Sequence, residues 1–410
     1  MTSTAPDQNR GWIRGALLAP DELVSDGVLA FEGDRIVYAG PADGFDGGGW
    51  PDPVAAPDGS LIVPGLVDLH CHGAVGSDFT TADAEGMRRA AGFLHAAGTT
   101  TLLASTVSAP RDVLLAAAGR LGALAREGLI AGIHAEGPFL SPVRCGAQDP
   151  ASLLPPDPDF VDEFLLASDD ELVTMTYAPE LAGADELVDR LITRGVTPSL
   201  GHSDASDATA AESLESAREE MEEAGFDGYA PRPTVTHLFN GMAPMHHRSP
   251  GPVAACLRAA QRGDAVVELI ADGVHLDPAM IRTVFELAGA QNVALVSDSM
   301  AATGLGNGRY RLGPADVVVS GGTARLATDG GLAGGTATLL ECVRTAVAAG
   351  VPLADAVLAA TAVPAEVLRL ADEVGTLRRG LRADALLVSA DLELLGVLRS
   401  GTWLRAPENT

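Results

Sequence analysis

Residues 63–73 read VPGLVDLHCHG, and this stretch predicts a buried strand that ends in a pair of histidines. Side chains two positions apart on a strand point to the same side. His70 and His72 can therefore reach one metal ion together, while Cys71 points the other way. An isolated histidine pair of this kind is a weak signal, so its meaning depends on the rest of the chain.

Seven further apolar, β-branched runs follow, and stretches rich in alanine, leucine, glutamate and arginine separate them. This alternation indicates a parallel sheet covered by helices. Eight such strands are the number in a (β/α)8 or TIM barrel, whose strand carboxyl ends form the catalytic face. The predicted strands are 66–70, 99–104, 129–136, 172–177, 197–202, 234–238, 266–271 and 293–298.

Both ends of the chain contain short apolar runs bounded by turn residues, and these runs predict strands at 27–31, 35–38, 385–389 and 392–398. Neither group is long enough to be stable alone. We therefore expect an α/β protein with a small β-sandwich domain built from both chain ends. Residues 1–60 and 363–410 would form this domain, and residues 61–362 would form a metal-dependent catalytic barrel.

The charge balance narrows the classes of function. The 410 residues include 27 basic and 55 acidic side chains, a formal net charge of −28, which argues against nucleic acid or an anionic membrane as partner. Every basic residue is arginine. The absence of lysine excludes Schiff-base and P-loop lysines and a carbamylated lysine that bridges two metals.

Cysteine content and hydropathy predict a cytoplasmic protein. The four cysteines are too scattered for a disulfide framework. Residues 1–14 are polar and lack the apolar core of a secretory signal, and no run of about 18 apolar residues predicts a membrane helix.

Polar side chains lie at the ends of several predicted strands, where Glu136, His202, His237 and Asp298 join the histidine pair. Any one of them alone could be a satisfied buried group or a helix cap. Two imidazoles and a carboxylate with an open position are typical of a hydrolytic zinc or similar ion, which activates water and polarises a carbonyl. Without lysine, Glu136 is the candidate bridge between two ions. Asp298 is then free to act as the general base that passes a proton to the leaving amine.

Several segments, in order from about residue 60 to about residue 390, resemble the N-acetylglucosamine-6-phosphate deacetylases of the amidohydrolase superfamily. HAEGPFLSP (134–142) and THLFNGM (236–242) are the most specific of them. The remaining segments are VPGLVDLHCHG (63–73), GHSDA (201–205), IADGVHLDP (270–278), LVSDSMAATG (295–304), LAGGTATL (332–339) and GTLRRGLRADALLV (375–388).

This resemblance implies a metal site formed by Glu136, His202 and His237, with Asp298 as the catalytic aspartate. His70 and His72 would hold a second ion. Zinc is the ion we expect, one or two per subunit, with iron, cobalt, manganese, nickel or cadmium as alternatives. The resemblance also implies substrate contacts from Ala147, Gln148, Asn240, Gly241, Arg248, His275, Leu332, Ala333 and Gly334.

Gln148 is the position at which this chain departs from the family pattern. The family has a histidine where this chain has Gln148, whose amide can donate a hydrogen bond but cannot become a cation.

A protein of charge −28 repels a sugar phosphate at long range, so binding of the phosphate needs a local cluster of positive charge. The densest basic run near a predicted strand end consists of His246, His247 and Arg248. The same three residues could simply belong to an exposed loop. The resemblance assigns Arg248 to the phosphate bound by a neighbouring subunit, which implies a homodimer.

The expected reaction is metal-dependent deacetylation of N-acetyl-D-glucosamine 6-phosphate to D-glucosamine 6-phosphate and acetate, in amino-sugar catabolism. One alternative is an amidohydrolase that acts on another N-acyl sugar phosphate, such as N-acetylgalactosamine 6-phosphate, or on a cyclic amide. The other is a non-catalytic barrel that binds an amino-sugar phosphate. Cys145 has no base at nucleophile spacing in the sequence, and we expect His95 and His134 to have structural roles.

Overall fold

A computed structural model describes residues 10–20, 22–225 and 231–407, so residues 1–9 of the predicted polar N-terminus lie outside the described part. Its strands are β1 (Arg10–Leu18), β2 (Leu23–Glu32), β3 (Arg35–Pro41), β4 (Val54–Ala55), β5 (Leu61–Pro64), β6 (Leu66–Cys71), β7 (Gly73–Ala74), β8 (Ser77–Asp78), β9 (Thr99–Thr106), β10 (Ile133–Glu136), β11 (Leu172–Tyr177), β12 (Thr197–Leu200), β13 (Thr234–Val235), β14 (Val266–Ile270), β15 (Val293–Val296), β16 (Gly308–Leu312), β17 (Ala315–Ser320), β18 (Thr323–Leu326), β19 (Ala385–Val388), β20 (Leu394–Arg399) and β21 (Thr402–Arg405).

The α-helices are α1 (Ala84–Ala96), α2 (Arg111–Arg126), α3 (Pro158–Ser168), α4 (Ala184–Thr193), α5 (Asp207–Ala224), α6 (Gly251–Arg262), α7 (Pro278–Ala288), α8 (Leu339–Ala348), α9 (Leu353–Ala359) and α10 (Ala362–Val367). Within the described ranges, no helix combines the length and the apolar character that crossing a bilayer requires.

The barrel consists of β6 and β9 to β15, which pair in parallel in chain order. The side chains of most of these strands are buried on both faces, as expected for strands covered by helices. The eighth strand meets the first beyond its regular end, where the Asp298 amide donates to the His70 carbonyl oxygen at 2.9 Å. The predicted (β/α)8 barrel is confirmed.

Some predicted strands are shorter in the structure. The third strand begins at Ile133 rather than 129, and the sixth is only Thr234–Val235. The sixth strand ends early because His237 has a backbone φ of 25°, which lies in the left-handed region and cannot continue a strand.

The chain ends form one sheet in the order β21, β20, β19, β5, β1, β2, β3, with β4 beside β1. Side chains from opposite ends of this sheet, such as Phe31 and Leu398, share one core with Ile13 and Leu387, so the sheet folds over itself. A sheet domain built from both ends is therefore confirmed. Because Leu61–Pro64 pairs within this sheet, the sheet extends beyond residue 60, where the sequence placed its edge.

A three-stranded antiparallel sheet, β16 to β18, is inserted between the last barrel strand and α8. The sequence did not predict it. Its residues Leu312 and Val317 pack with Met300 and Ala333 in a small separate core. This insertion brings apolar side chains to the rim of the barrel that carries the polar strand ends.

Candidate active site

Three histidines at the mouth of the barrel are held in one tautomer by acceptors behind them. A carbonyl or carboxylate that accepts the Nδ1–H leaves Nε2 with a free electron pair, which is the form that binds a metal. The contacts are His70 Nδ1 to Glu268 Oε2 at 3.2 Å, His72 Nδ1 to the Ser105 carbonyl oxygen at 3.2 Å, and His202 Nδ1 to the Arg144 carbonyl oxygen at 2.8 Å.

The first group of possible ligands surrounds one oxygen of Glu136. Oε1 lies 2.9 Å from His202 Nε2 and 2.8 Å from His237 Nε2, and these two nitrogens are 3.2 Å apart. Donor atoms bound to one tetrahedral ion at about 2.0–2.2 Å have similar separations. The three side chains therefore fit a single divalent ion.

The second group consists of His70, His72 and Asp298, and it lies beside the other oxygen of Glu136. Oε2 lies 3.2 Å from His72 Nε2, and Oδ1 of Asp298 lies 3.1 Å from the same nitrogen. The Nε2 atoms of His70 and His72 are only 3.0 Å apart. Because acceptors face Nδ1 in both rings, both Nε2 atoms can donate an electron pair to one cation. This donor set also fits a divalent ion.

The charges in the site favour added positive charge. Burial lowers the pKa of His72, but the hydrogen bonds that Asp298 and Glu136 accept from its ring outweigh burial and raise it to about 9. Burial raises the pKa of Glu136, yet the imidazoles around it, His70 foremost, hold the pKa well below the usual range of a carboxyl. A bound cation would supply the positive charge that these carboxylates attract.

Three of these side chains follow their strands with the same spacing. His202, His237 and Asp298 each lie two residues beyond the end of a strand, with φ values of 47°, 25° and 46°. Left-handed backbone is unfavourable for such residues and clusters at functional sites. Gly241 allows this packing, because a Cβ at its φ of 62° would lie 2.6 Å from His202 Nδ1.

A cavity of about 530 Å³ opens over the two groups. The structure brings most of the predicted site residues to its wall: His72, Glu136, Ala147, Gln148, His202, His237, Asn240, Gly241, His275, Asp298, Leu332, Ala333 and Gly334. Gly146 and Leu312 line it as well. His70 is fully buried behind this wall.

Arg248 is the predicted site residue that the fold leaves away from the cavity. It lies on an exposed loop, where its Nη1 is 2.7 Å from Nε2 of His247, and it is absent from the cavity wall of the described chain. No arginine contributes to that wall among the described residues. The described residues of one chain therefore bring no guanidinium to the cavity wall for a phosphate.

Gln148 is buried and fixed by two hydrogen bonds. Its Oε1 accepts from the Ser108 amide at 2.6 Å, and its Nε2 donates to Glu136 Oε2 at 2.5 Å. The first contact determines which end of the amide faces Glu136. Gln148 thus contacts a possible metal ligand directly, in addition to lining the cavity.

His275 joins two walls of the cavity. Its Nδ1 contacts Asp272 Oδ2 at 2.8 Å, and its Nε2 contacts the Ala333 carbonyl oxygen at 2.9 Å. Burial lowers the pKa of His275, but the hydrogen bond with Asp272 more than offsets this and raises it. A protonated ring can donate to both neighbours at once.

The other histidines and the cysteine have different environments. His134 packs behind the site between Ser105 and Thr176, and burial holds its pKa well below the usual value. His95 contacts two backbone carbonyls within the barrel wall. Burial raises the pKa of Cys145, so its thiol is not activated for nucleophilic attack.

Four residues that the structure places at or behind the site were not predicted from the sequence. Glu268 and Asp68 are buried carboxylates that contact His70, and Gly146 and Leu312 line the cavity. A charged residue inside an apolar strand, as in VVELI (266–270) and LVDLH (66–70), is a signal that could have identified the two carboxylates. Leu312 carries no comparable signal, because it belongs to the unpredicted insertion.

The fold and the donor set are those of metal-dependent hydrolases built on a (β/α)8 barrel. The amidohydrolase family profile matches residues 61–404. An N-acetylglucosamine-6-phosphate deacetylase from Bacillus subtilis is 32% identical over 391 residues, which cover 93% of this chain and 93% of that protein.

A solved structure and a further relative extend this comparison. The N-acetyl-D-glucosamine-6-phosphate deacetylase of Mycobacterium smegmatis, solved with N-acetyl-D-glucosamine-6-phosphate, is 35% identical with a TM-score of 0.86 and covers 97% of this chain and 99% of its own. An N-acetylgalactosamine-6-phosphate deacetylase from Escherichia coli O157:H7 is 31% identical over 86% of this chain and 90% of that protein. The chain belongs to the amidohydrolase family and, within it, to the N-acetylglucosamine-6-phosphate deacetylases.

Proposed function

We propose that this protein hydrolyses the N-acetyl amide of N-acetyl-D-glucosamine 6-phosphate to D-glucosamine 6-phosphate and acetate, in amino-sugar catabolism. The observation that carries the proposal is the arrangement around Glu136. Its Oε1 lies 2.8–2.9 Å from the Nε2 atoms of His202 and His237, its Oε2 lies 3.2 Å from Nε2 of His72, and Asp298 completes the second group. This is the donor set expected for amide hydrolysis with a divalent ion.

The residues suited to hold an ion are Glu136 with His202 and His237. Glu136 with His70 and His72 would hold a second one. A divalent ion bound there would polarise the amide carbonyl and make water a better nucleophile at neutral pH. We expect zinc, because imidazole and carboxylate ligands suit it, although iron, cobalt, manganese, nickel and cadmium bind similar ligands.

Asp298 is the residue we assign to proton transfer. Burial raises the pKa of its carboxyl, but the hydrogen bond to His72 and the nearby His70 lower it below the usual value, so the carboxylate is ionised at neutral pH. It can take a proton from the attacking water and then deliver it to the amine nitrogen as the C–N bond breaks. Gln148 has a second amide N–H beyond the one directed at Glu136, and this N–H is available to the acetamide oxygen.

The remaining predicted contacts divide by chemistry. The apolar part of the cavity wall, Ala147, Leu332, Ala333 and Gly334, would surround the acetyl methyl group. Asn240 and Gly241 would hydrogen-bond the sugar, and His275 would contact it from the cavity wall. Because the cavity wall of one chain lacks an arginine among its described residues, we assign the phosphate to Arg248 of a second copy.

A homodimer follows from this assignment. Two exposed apolar side chains, Val143 at 70% exposure and Met245 at 55%, lie on the loops that carry Gln148 and Arg248, which supports an interface there. We expect the dimer to work in the cytoplasm, since the cysteines are unpaired and the substrate is a phosphorylated metabolite.

The test is the reaction itself. Purified protein should release acetate and glucosamine 6-phosphate in equal amounts from N-acetylglucosamine 6-phosphate, with metal content measured on the same sample. The panel should include N-acetylgalactosamine 6-phosphate, the substrate in the name of the relative from Escherichia coli O157:H7, and N-acetylglucosamine without phosphate. Binding of the sugar phosphate without acetate release, with zinc and each alternative ion supplied, would point to the non-catalytic binding barrel instead.

A further inference from the structure

Glu268 is a buried carboxylate on β14 that is not among the possible ligands, although one of its oxygens contacts both groups. Oε2 lies 3.2 Å from Nδ1 of His70 and accepts the backbone amide of His237 at 3.3 Å. The side chain of Glu268 is 2% exposed, so no bulk water competes for these contacts. A single atom therefore joins a residue of the second group to a residue of the first.

The contact with His70 acts on the imidazole ring. A carboxylate behind the Nδ1–H fixes the tautomer, orients the ring and makes Nε2 a stronger electron-pair donor. The corresponding acceptors of His72 and His202 are neutral backbone carbonyls. Of these three histidines, only His70 therefore has a carboxylate as the acceptor at its Nδ1.

The contact with His237 acts on the backbone. His237 has a φ of 25°, and its buried Nδ1 has no hydrogen-bond partner among the described residues. Its ring is therefore oriented by the main chain rather than by an acceptor. Glu268 holds that main chain twice, because its own carbonyl oxygen accepts the Leu238 amide at 2.8 Å while its carboxylate accepts the His237 amide.

We propose that Glu268 is a positioning residue for both ion positions, which holds His70 through the ring and His237 through a strained backbone. This proposal rests on the metal dependence of the proposed function. Loss of the negative charge should weaken the position that contains His70. A shorter carboxylate, which cannot reach both partners, should weaken both positions.

The experiment measures zinc affinity and stoichiometry without substrate, by titration against a chromogenic chelator. Glu268→Gln keeps the size of the side chain and one oxygen acceptor, so we expect a loss of about 10–100-fold in affinity for one of two zinc ions. In Glu268→Asp, both affinities should fall. Asp68→Asn is the matched control, because Asp68 is equally buried and contacts His70 only at its backbone amide, while its other hydrogen bonds come from Ser297.

A double-mutant cycle isolates the ring contact. If Glu268 acts on the second position through His70, then Glu268→Gln should change zinc affinity little when His70→Ala is already present. The proposal would be overturned if Glu268→Gln bound zinc with the affinity of the wild type. It would also be overturned if Asp68→Asn lost as much zinc affinity as Glu268→Gln. These titrations contain no substrate, so they test zinc binding independently of the reaction. If the variants lose zinc affinity as expected but the wild-type protein releases no acetate, only the proposed function is refuted.

Discussion

The backbone amide of Asp298 donates a 2.9 Å hydrogen bond to the carbonyl oxygen of His70. This bond joins the eighth strand to the first directly at the candidate base, Asp298, and at a candidate ligand, His70. The His72 amide makes a similar bond to the Ser299 carbonyl oxygen at 2.6 Å. The closure of the barrel and the geometry of the site therefore depend on the same hydrogen bonds.

Asp298→Asn removes the proposed base while keeping the shape of the side chain. Turnover should fall by about 10²–10⁴-fold, the usual contribution of a positioned acid–base group. Acetate release measures the rate, and zinc content and thermal unfolding should show that the site and the fold persist. Wild-type turnover in this variant would remove Asp298 from the mechanism.

Removal of the metal should abolish acetate release and destabilise the fold. A chelator should lower the unfolding midpoint, because a ligand present at about 1,000 times its Kd stabilises the native state by about 4 kcal/mol. Added zinc should restore both properties. Glu136→Gln serves as the control: its midpoint should respond little to chelator, since the carboxylate shared by both groups is gone.

If Arg248 serves the neighbouring subunit, two inactive variants should complement each other. A mixture of Arg248→Ala and Asp298→Asn subunits, exchanged at random, should recover about a quarter of wild-type activity through mixed dimers with one intact site. Each variant alone should be inactive or nearly so at substrate levels that saturate the wild type. If the mixture is no more active than the two variants measured separately, Arg248 does not act in the neighbouring subunit's site.

Leu312 should limit the size of the acyl group, because it is 4% exposed, lines the cavity and packs with Ala333. Leu312→Ala should raise the ratio of kcat/KM for the N-propionyl substrate to that for the N-acetyl substrate by about 10-fold or more, the typical effect of one methylene. Leu305→Ala, at an exposed leucine that does not line the cavity, is the control. An unchanged ratio would show that the acyl group lies elsewhere.

The His275–Asp272 pair predicts a pH dependence of stability. Because the pKa of His275 is raised in the folded state, its contribution is fully present below the ordinary histidine pKa of about 6.5 and is lost as pH rises through the folded value. Urea unfolding from pH 5 to 9 should show His275→Gln less stable than wild type by about 1.5–3 kcal/mol at the acid end. The difference should shrink toward pH 9, and a difference that is constant with pH would contradict this assignment.

The sequence predicted much of the barrel because its information is local. Strand β11 matches its prediction at both ends, and strand β9 begins at the predicted residue 99. The predictions failed where local pattern is weak. Strand β1 reads RGWIRGALL, with arginines and glycines that obscure its alternation, and the inserted strands β16 to β18 are stabilised by packing against the rim rather than by a pattern of their own.

The chemistry of the site was readable because polar residues stand out at the ends of apolar strands, as Glu136 and Asp298 do. Only the tertiary structure decided how they are used. Glu136 turns one oxygen toward His202 and the other toward His72, Glu268 lies behind His70 from 198 residues away, and Arg248 does not line its own cavity. These relationships depend on distances between residues remote in sequence, which barrel closure sets and no local spacing encodes.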